Sequence, residues 1–205
     1  MPYGYTGQNL INQTVKNSGV FSISDVADLE KQGKFGGSLE LISEQTVSSV
    51  ANVQLTSIKE SKFDVHLLQV FNYQPSALDR LGMQFYESGV LETADVYRYA
   101  YQYGYYSGTF GENKDTGDNH LKVTPDETTT AGVSSSSYTY IYNAGNSSQY
   151  TFTTAQLVGS EFFRFGGGLL PQASTVDGLY LFGDFSGSNF SATIKLYGVK
   201  QLWVL

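Results

Sequence analysis

The chain of 205 residues contains no cysteine. Disulfides and thiolate nucleophiles are therefore excluded, and the fold must be held by its own core or by subunit packing. Histidine occurs twice, as His66 and His120. Neither belongs to an HxxxH or HxH pair, so no zinc site and no other metal centre is expected. G-x-S-x-G is missing, and so is the nucleophile that it would carry. Charge is scarce as well: 15% of residues, against roughly 25% in globular chains. The 12 basic and 19 acidic residues leave a net charge of −7. Without a basic stripe, such a chain is repelled by phosphate backbones, and a nucleic-acid partner is not expected. No apolar run approaches the roughly 18 residues that span a bilayer, so membrane insertion is not expected either.

Apolar residues make up 40% of the chain and aromatics 15%, enough for one large all-β domain with an appendage. The place of the missing charge is taken by Gly, Ser, Thr, Asn and Tyr. In VYRYAYQYGYY, Tyr97, Tyr99, Tyr101, Tyr103 and Tyr105 recur at every second residue. A strand sends alternate side chains to opposite faces, so the five share one side. That stripe has two readings. It packs in a core or subunit interface, where each hydroxyl needs a partner, or it is a contact face for sugars or a host surface. The other side of the strand (Arg98, Ala100, Gln102) reads as solvent-facing.

Strand patterns run from residue 38 to the end. LELI and VSSVANVQLTSI come first. In FDVHLLQVF, Phe63, Val65 and Leu67 are expected on the apolar side, with Asp64 and His66 opposite. LGMQFY places Leu81, Met83 and Phe85 together. YTYIY, QYTFT, EFFRF, GLYLF and FSATIKLYGVKQLWVL close the series. Residues 107–135 are polar and turn-rich and read as a long excursion, with one short strand near Leu121 and Val123. Closely spaced strands separated by turn signals argue an antiparallel β-sandwich or jelly roll over residues 38–205.

Residues 1–37 read differently. The first twenty, rich in Gly, Asn and Gln, form an extended arm. A short helix is expected over about residues 24–32. Ser22 or Ser24 caps it, Asp25 and Asp28 sit near its positive end, and Gly33 stops it. So short a helix must dock on something. Phe21, Val26 and Leu29 are its docking candidates, and Trp203, in the apolar ending LWVL, suggests a C-terminus buried against a neighbour.

The remaining candidates for chemistry are weak. Glu112, Asp115, Asp118 and Asn119 cluster as a calcium loop would, but their spacing does not fit D-x-[DN]-x-[DN]-G, and a solvated loop explains them. Glu87, Glu92 and Asp95 could supply a glycosidase pair only if a cleft separated them suitably. The glycines at 166–168 precede Leu169, Leu170 and Pro171 instead of a helix with a Lys/Ser pair. They suit a bent strand or close backbone approach better than a phosphate cradle. No catalytic residue and no cofactor is expected.

The ending NFSATIKLYGVKQ, with VDGLYLF before it, resembles the closing strands of a β-sandwich domain found repeatedly in bacteriophage virion proteins. Thr193, Leu196, Tyr197 and Gly198 match its G-t-x-x-LYG pattern, although Ala192 stands where glycine is frequent. SIKESKFDVHLLQV and LGMQFYESG resemble the opening strands of that domain. NSGVFSISDVADLEKQGKFGG resembles a short helical element of phage tail and fibre proteins, through Gly19, Val20, Phe21 and Ser22. The likeness spans residues 17–100 and 175–201, and points toward virion structural proteins of marine phages that infect cyanobacteria. It implies a structural component of a particle, on the tail, a fibre or the capsid, with other virion proteins as partners. A homotrimer is the favoured assembly, because a three-fold axis can bury one aromatic stripe per subunit. Met1 is followed directly by Pro2 and Tyr3, without a secretory signal pattern. Synthesis in a host cytoplasm and residence in the virion are the corresponding expectations. A carbohydrate-binding module for a host surface glycan is the alternative function, and a glycan depolymerase a remoter one.

Overall fold

The computed structural model describes residues 38–130 and 132–200. The arm, the helix expected at 24–32, Phe21, Val26, Leu29 and Trp203 lie outside the described residues. The compact β unit begins at Leu39. Its strands are β1 (Leu39–Val50), β2 (Asn52–Thr56), β3 (Val65–Pro75), β4 (Leu81–Glu87), β5 (Val90–Leu91), β6 (Tyr97–Tyr105), β7 (Phe110–Asp118), β8 (Leu121–Lys122), β9 (Ser135–Tyr142), β10 (Tyr150–Val158), β11 (Phe162–Ala173), β12 (Val176–Gly183) and β13 (Phe190–Val199). No helix occurs among the described residues.

The fold is all-β and antiparallel, with two sheets packed as a sandwich. The larger sheet has the order β1-β13-β3-β9-β10-β11-β6-β7. The smaller runs β2-β12-β4-β5, with β8 also on β4. β1 passes into β2 through Ala51, so one chain segment turns the corner between the sheets. Leu39 pairs with Val199, so the described chain enters and leaves at the same end of the sandwich.

Side-chain alternation builds the core. β13 alternates buried and half-buried residues throughout, and β10 alternates exposed and buried ones. Leu81, Met83 and Phe85 from the smaller sheet meet Leu68, Val70, Ile194 and Leu196 from the larger, as the period-two pattern requires. β3 carries a bulge at Asn72, whose φ is 53°. The extra residue leaves Val70 and Tyr73 both inward. Tyr73 then packs against Phe190, with ring centroids 5.6 Å apart and the planes tilted by 41°.

Two expectations need correction. His66 does not face away from the core: it is fully buried, and its Nε2 donates to the Ile58 carbonyl at 2.9 Å. Leu68 and Val70 share its side. Both faces of this stretch are apolar, and the smaller sheet decides which one is covered. The excursion at 107–135 is not all loop. Phe110–Asp118 forms a nine-residue edge strand on β6. Its polar composition masks it, because an edge strand in water has no need of an apolar face. The cluster Glu112, Asp115, Asp118 and Asn119 therefore lies along β7 and the turn after it. The short strand near Leu121 is present as β8.

Candidate functional site

The tyrosine strand β6 faces inward over most of its length. Tyr97, Tyr99 and Tyr101 are buried, Tyr103 is half-buried and Tyr105 emerges at the strand end. Each inner hydroxyl is satisfied. Tyr97 donates to the Glu92 carbonyl at 3.1 Å and accepts from the Phe85 N–H at 2.9 Å. Tyr99 donates to Asp118 Oδ2 at 3.0 Å, and Tyr101 to the Lys122 carbonyl at 3.2 Å. Burial pushes all three hydroxyls far above the ordinary tyrosine value. Tyr97, Tyr99 and Tyr101 thus form part of the core and cannot serve as a contact face.

The exposed aromatics stand elsewhere, on the outer face of the larger sheet. β9 turns Tyr138, Tyr140 and Tyr142 outward while burying Ser135, Ser137 and Thr139. β10 does the same, exposing Tyr150 and Phe152 and burying Thr151 and Thr153. Register continues the pattern: Tyr140 lies opposite Thr154, which lies opposite Gly167, and Phe163 and Phe165 of β11 point the same way. These rings interact across and along strands. Tyr140 stacks on Tyr142 at 6.4 Å and Phe163 on Phe165 at 6.3 Å. Tyr138 donates to Gln156 Oε1 at 2.5 Å.

This is an inversion of the usual amphipathic order, in which hydroxyls face water and rings face the core. The buried hydroxyls of Ser135, Ser137, Thr139 and Thr151 have no hydrogen-bond partner among the described residues. A one-residue slip would exchange the two sets. The outward positions of β9 and β10, with Phe163, Phe165, Gly167 and Leu169 of β11, include no ionisable acid or base apart from tyrosine. A charge-free aromatic sheet face is the composition of an interface core. The sequence signal was present, because YTYIY repeats the every-second-residue tyrosine of β6. Nothing local tells which of two such strands faces in.

A second grouping lies inside the sandwich. Asp79 is fully buried and accepts hydrogen bonds from the N–H groups of Arg80 (2.8 Å), Phe185 (2.7 Å) and Ser188 (2.9 Å) and from the hydroxyls of Ser186 and Ser188, both at 2.9 Å. Arg80 pairs with Asp184 and, at 3.1 Å, with Asp126. His120 Nε2 lies 2.8 Å from Asp184 Oδ1, and its Nδ1 lies 3.0 Å from Asp118 Oδ1. Lys122 sits 4.8 Å over the Tyr99 ring, and burial, then the charge of Arg80, pulls its amine down. Asp184 and Asp126 face Arg80, Asp118 faces His120 and Asp79 faces neutral donors, and the contact of Asp118 with His120 ties β7 of the larger sheet to the turns around the smaller one.

Glu87 and Glu92 approach each other closely. Burial raises the Glu87 carboxyl, and the neighbouring Glu92 adds to it. Glu87 accepts from Ser174 and Glu92 from Gln172, at 3.0 Å for the latter. Asp95 is exposed. Among the described residues, no group of three or more His, Cys, Asp or Glu is arranged to hold a metal.

The glycines of β11 act through close approach. A Cβ on Gly166 would fall 2.2 Å from the Ala100 carbonyl oxygen, and one on Gly167 would fall 2.3 Å from that of Thr153. No protein-family model matches the chain, and no curated protein matches it.

Proposed function

We propose that the chain is a structural protein of a bacteriophage particle, a fibre, knob or capsid-decorating component, which acts by packing against further copies of itself and against other virion proteins. The observation that carries the self-association is the inversion on β9 and β10, where rings face out and hydroxyls face in. A chain with net charge −7 meets another copy best through a surface free of charge, and the outer face of β9 to β11 is such a surface. A trimer with these faces toward a three-fold axis buries all three at once. The particle assignment draws on the resemblance in the closing strands, Thr193 to Gly198. It is supported by a sandwich whose described ends leave together, as suits a domain held at one end and projecting at the other.

The test is the native mass of the full chain by analytical ultracentrifugation, before and after Tyr140→Ser with Phe152→Ser. The wild type is expected to be a trimer, and the double variant a monomer with unchanged circular dichroism. A wild type that stays monomeric at its highest soluble concentration ends the self-association reading. Absence of the chain from purified particles of its source phage ends the virion assignment.

A further inference from the structure

We infer that the outer side of β6, between β7 and β11, is a binding groove for a neutral, linear oligosaccharide. Three adjoining hollows of about 460, 220 and 300 Å³ run along it. The first two share Gln102, Glu112 and Phe165, and the last two share Ala100, so they form one trough. Register gives its extent: Gln102 lies opposite Phe165 and Arg98 opposite Leu169, about 13 Å along the strand at roughly 3.3 Å per residue.

The floor is low because Ala100 is small and Gly167, opposite it, has no side chain. Phe165 and the strongly exposed Phe110 rise on either side. Polar groups line the rest: Gln102, and on β7 Glu112, Lys114 and Asp115. Flat apolar ring faces beside hydrogen-bond donors and acceptors are what a sugar ring offers a match for, with its C–H faces and equatorial hydroxyls. Arg98 and Lys114 balance Glu112 and Asp115, and Lys114 bridges Glu112 at 2.6 Å. A trough of zero net charge on an acidic chain suits an uncharged ligand.

The alternatives fit less well. An extended peptide gains affinity by pairing with free backbone, but the β6 backbone is already paired on both sides, to β7 and β11. A second copy would have to leave four charged side chains against itself, whereas the charge-free face beside the trough has none. The trough lies at the margin of that face: it shares Phe165, Gly167 and Leu169 with it, and most of the rest of its lining comes from β6 and β7. Glycan recognition thus belongs to β6, through the side opposite its buried tyrosines.

The experiment uses the full chain in isothermal titration calorimetry with cellohexaose, xylohexaose, mannohexaose and laminarihexaose. At least one should give saturable binding. Ala100→Trp fills the floor from the exposed side and should abolish that binding. Gln102→Ala should weaken it by about fivefold, the loss of one hydrogen bond. Both variants should keep the wild-type melting temperature and native mass. Tyr140→Ser with Phe152→Ser, outside the trough, should bind as the wild type does whatever its oligomeric state. No saturable binding to any of the four sugars overturns the inference, as does unchanged binding by Ala100→Trp. A change in native mass on Ala100→Trp also overturns it, since the trough would then be a subunit contact.

Discussion

Asp79 shows how much one side chain can organise. Four of its five hydrogen bonds fasten the segment from Phe185 to Ser188 onto the start of β4, and the fifth comes from the Arg80 N–H. Burial alone would raise its carboxyl, but the donors at Ser188, Phe185, Arg80 and Ser186 outweigh that and hold it below its ordinary value. Asp184 is likewise held down, with burial opposed by His120 and then Arg80. A carboxyl whose folded value lies below its unfolded value binds fewer protons in the fold. Its contribution is complete above the unfolded value and is lost as pH falls through the folded one. Melting temperature should therefore drop on acidification below pH ~4. Asp79→Asn should cost about 3 kcal/mol at neutral pH and flatten that acid limb. An equally steep limb in the variant would assign the loss to other groups. Tyr97 is a sharper case. Tyr97→Phe leaves the buried Phe85 N–H without an acceptor and should cost ~1–2 kcal/mol in urea denaturation. Tyr138→Phe, on the outer face, should stay within about 0.5 kcal/mol. Equal costs would contradict the inward and outward placement of the two strands.

At the scale of elements, β6 and β9 carry the same tyrosine period and point it in opposite directions. On β6 the rings meet Phe85 and the polar cluster below them, at 6.0 Å for Phe85 and Tyr97. On β9 the inward places are taken by Ser137, Thr139 and Ile141. Periodicity made both strands readable, but the occupant of each face depends on the sheet across from it. β7 was hidden for the converse reason. FGENKDTGD has no apolar stripe, since its exposed flank needs charge to discourage pairing with other chains. Replacing Glu112, Lys114 and Asp115 together by Val should turn that edge sticky, giving soluble aggregates in size-exclusion chromatography that the wild type lacks. A triple variant with the wild-type elution profile would show that the edge is protected by something other than charge.

For the molecule as a whole, the two proposed surfaces differ in charge. The central strands of the larger sheet present rings without charge, and β6 and β7 at one side present a balanced charged trough. The first suits permanent contact between like-charged copies, the second transient capture of an uncharged ligand. The buried ties among Arg80, His120, Asp118 and Asp184 join β7 and β8 to the turns flanking β4 and β12. They hold the two sheets together where a chain without cysteine has no covalent link.

Composition and period alone determined that this chain is a β-sandwich and that Leu81, Met83 and Phe85 share a core face. These properties are local, set by alternation along a strand and by the size of a side chain. Only the tertiary structure decided that Tyr97, Tyr99 and Tyr101 are buried while Tyr138, Tyr140 and Tyr142 are not, that His66 faces the core, and that Arg98, Ala100 and Gln102 floor a trough. The reason is geometric. A strand has two faces of equal standing until a second sheet covers one of them, and residues far apart in sequence supply that sheet.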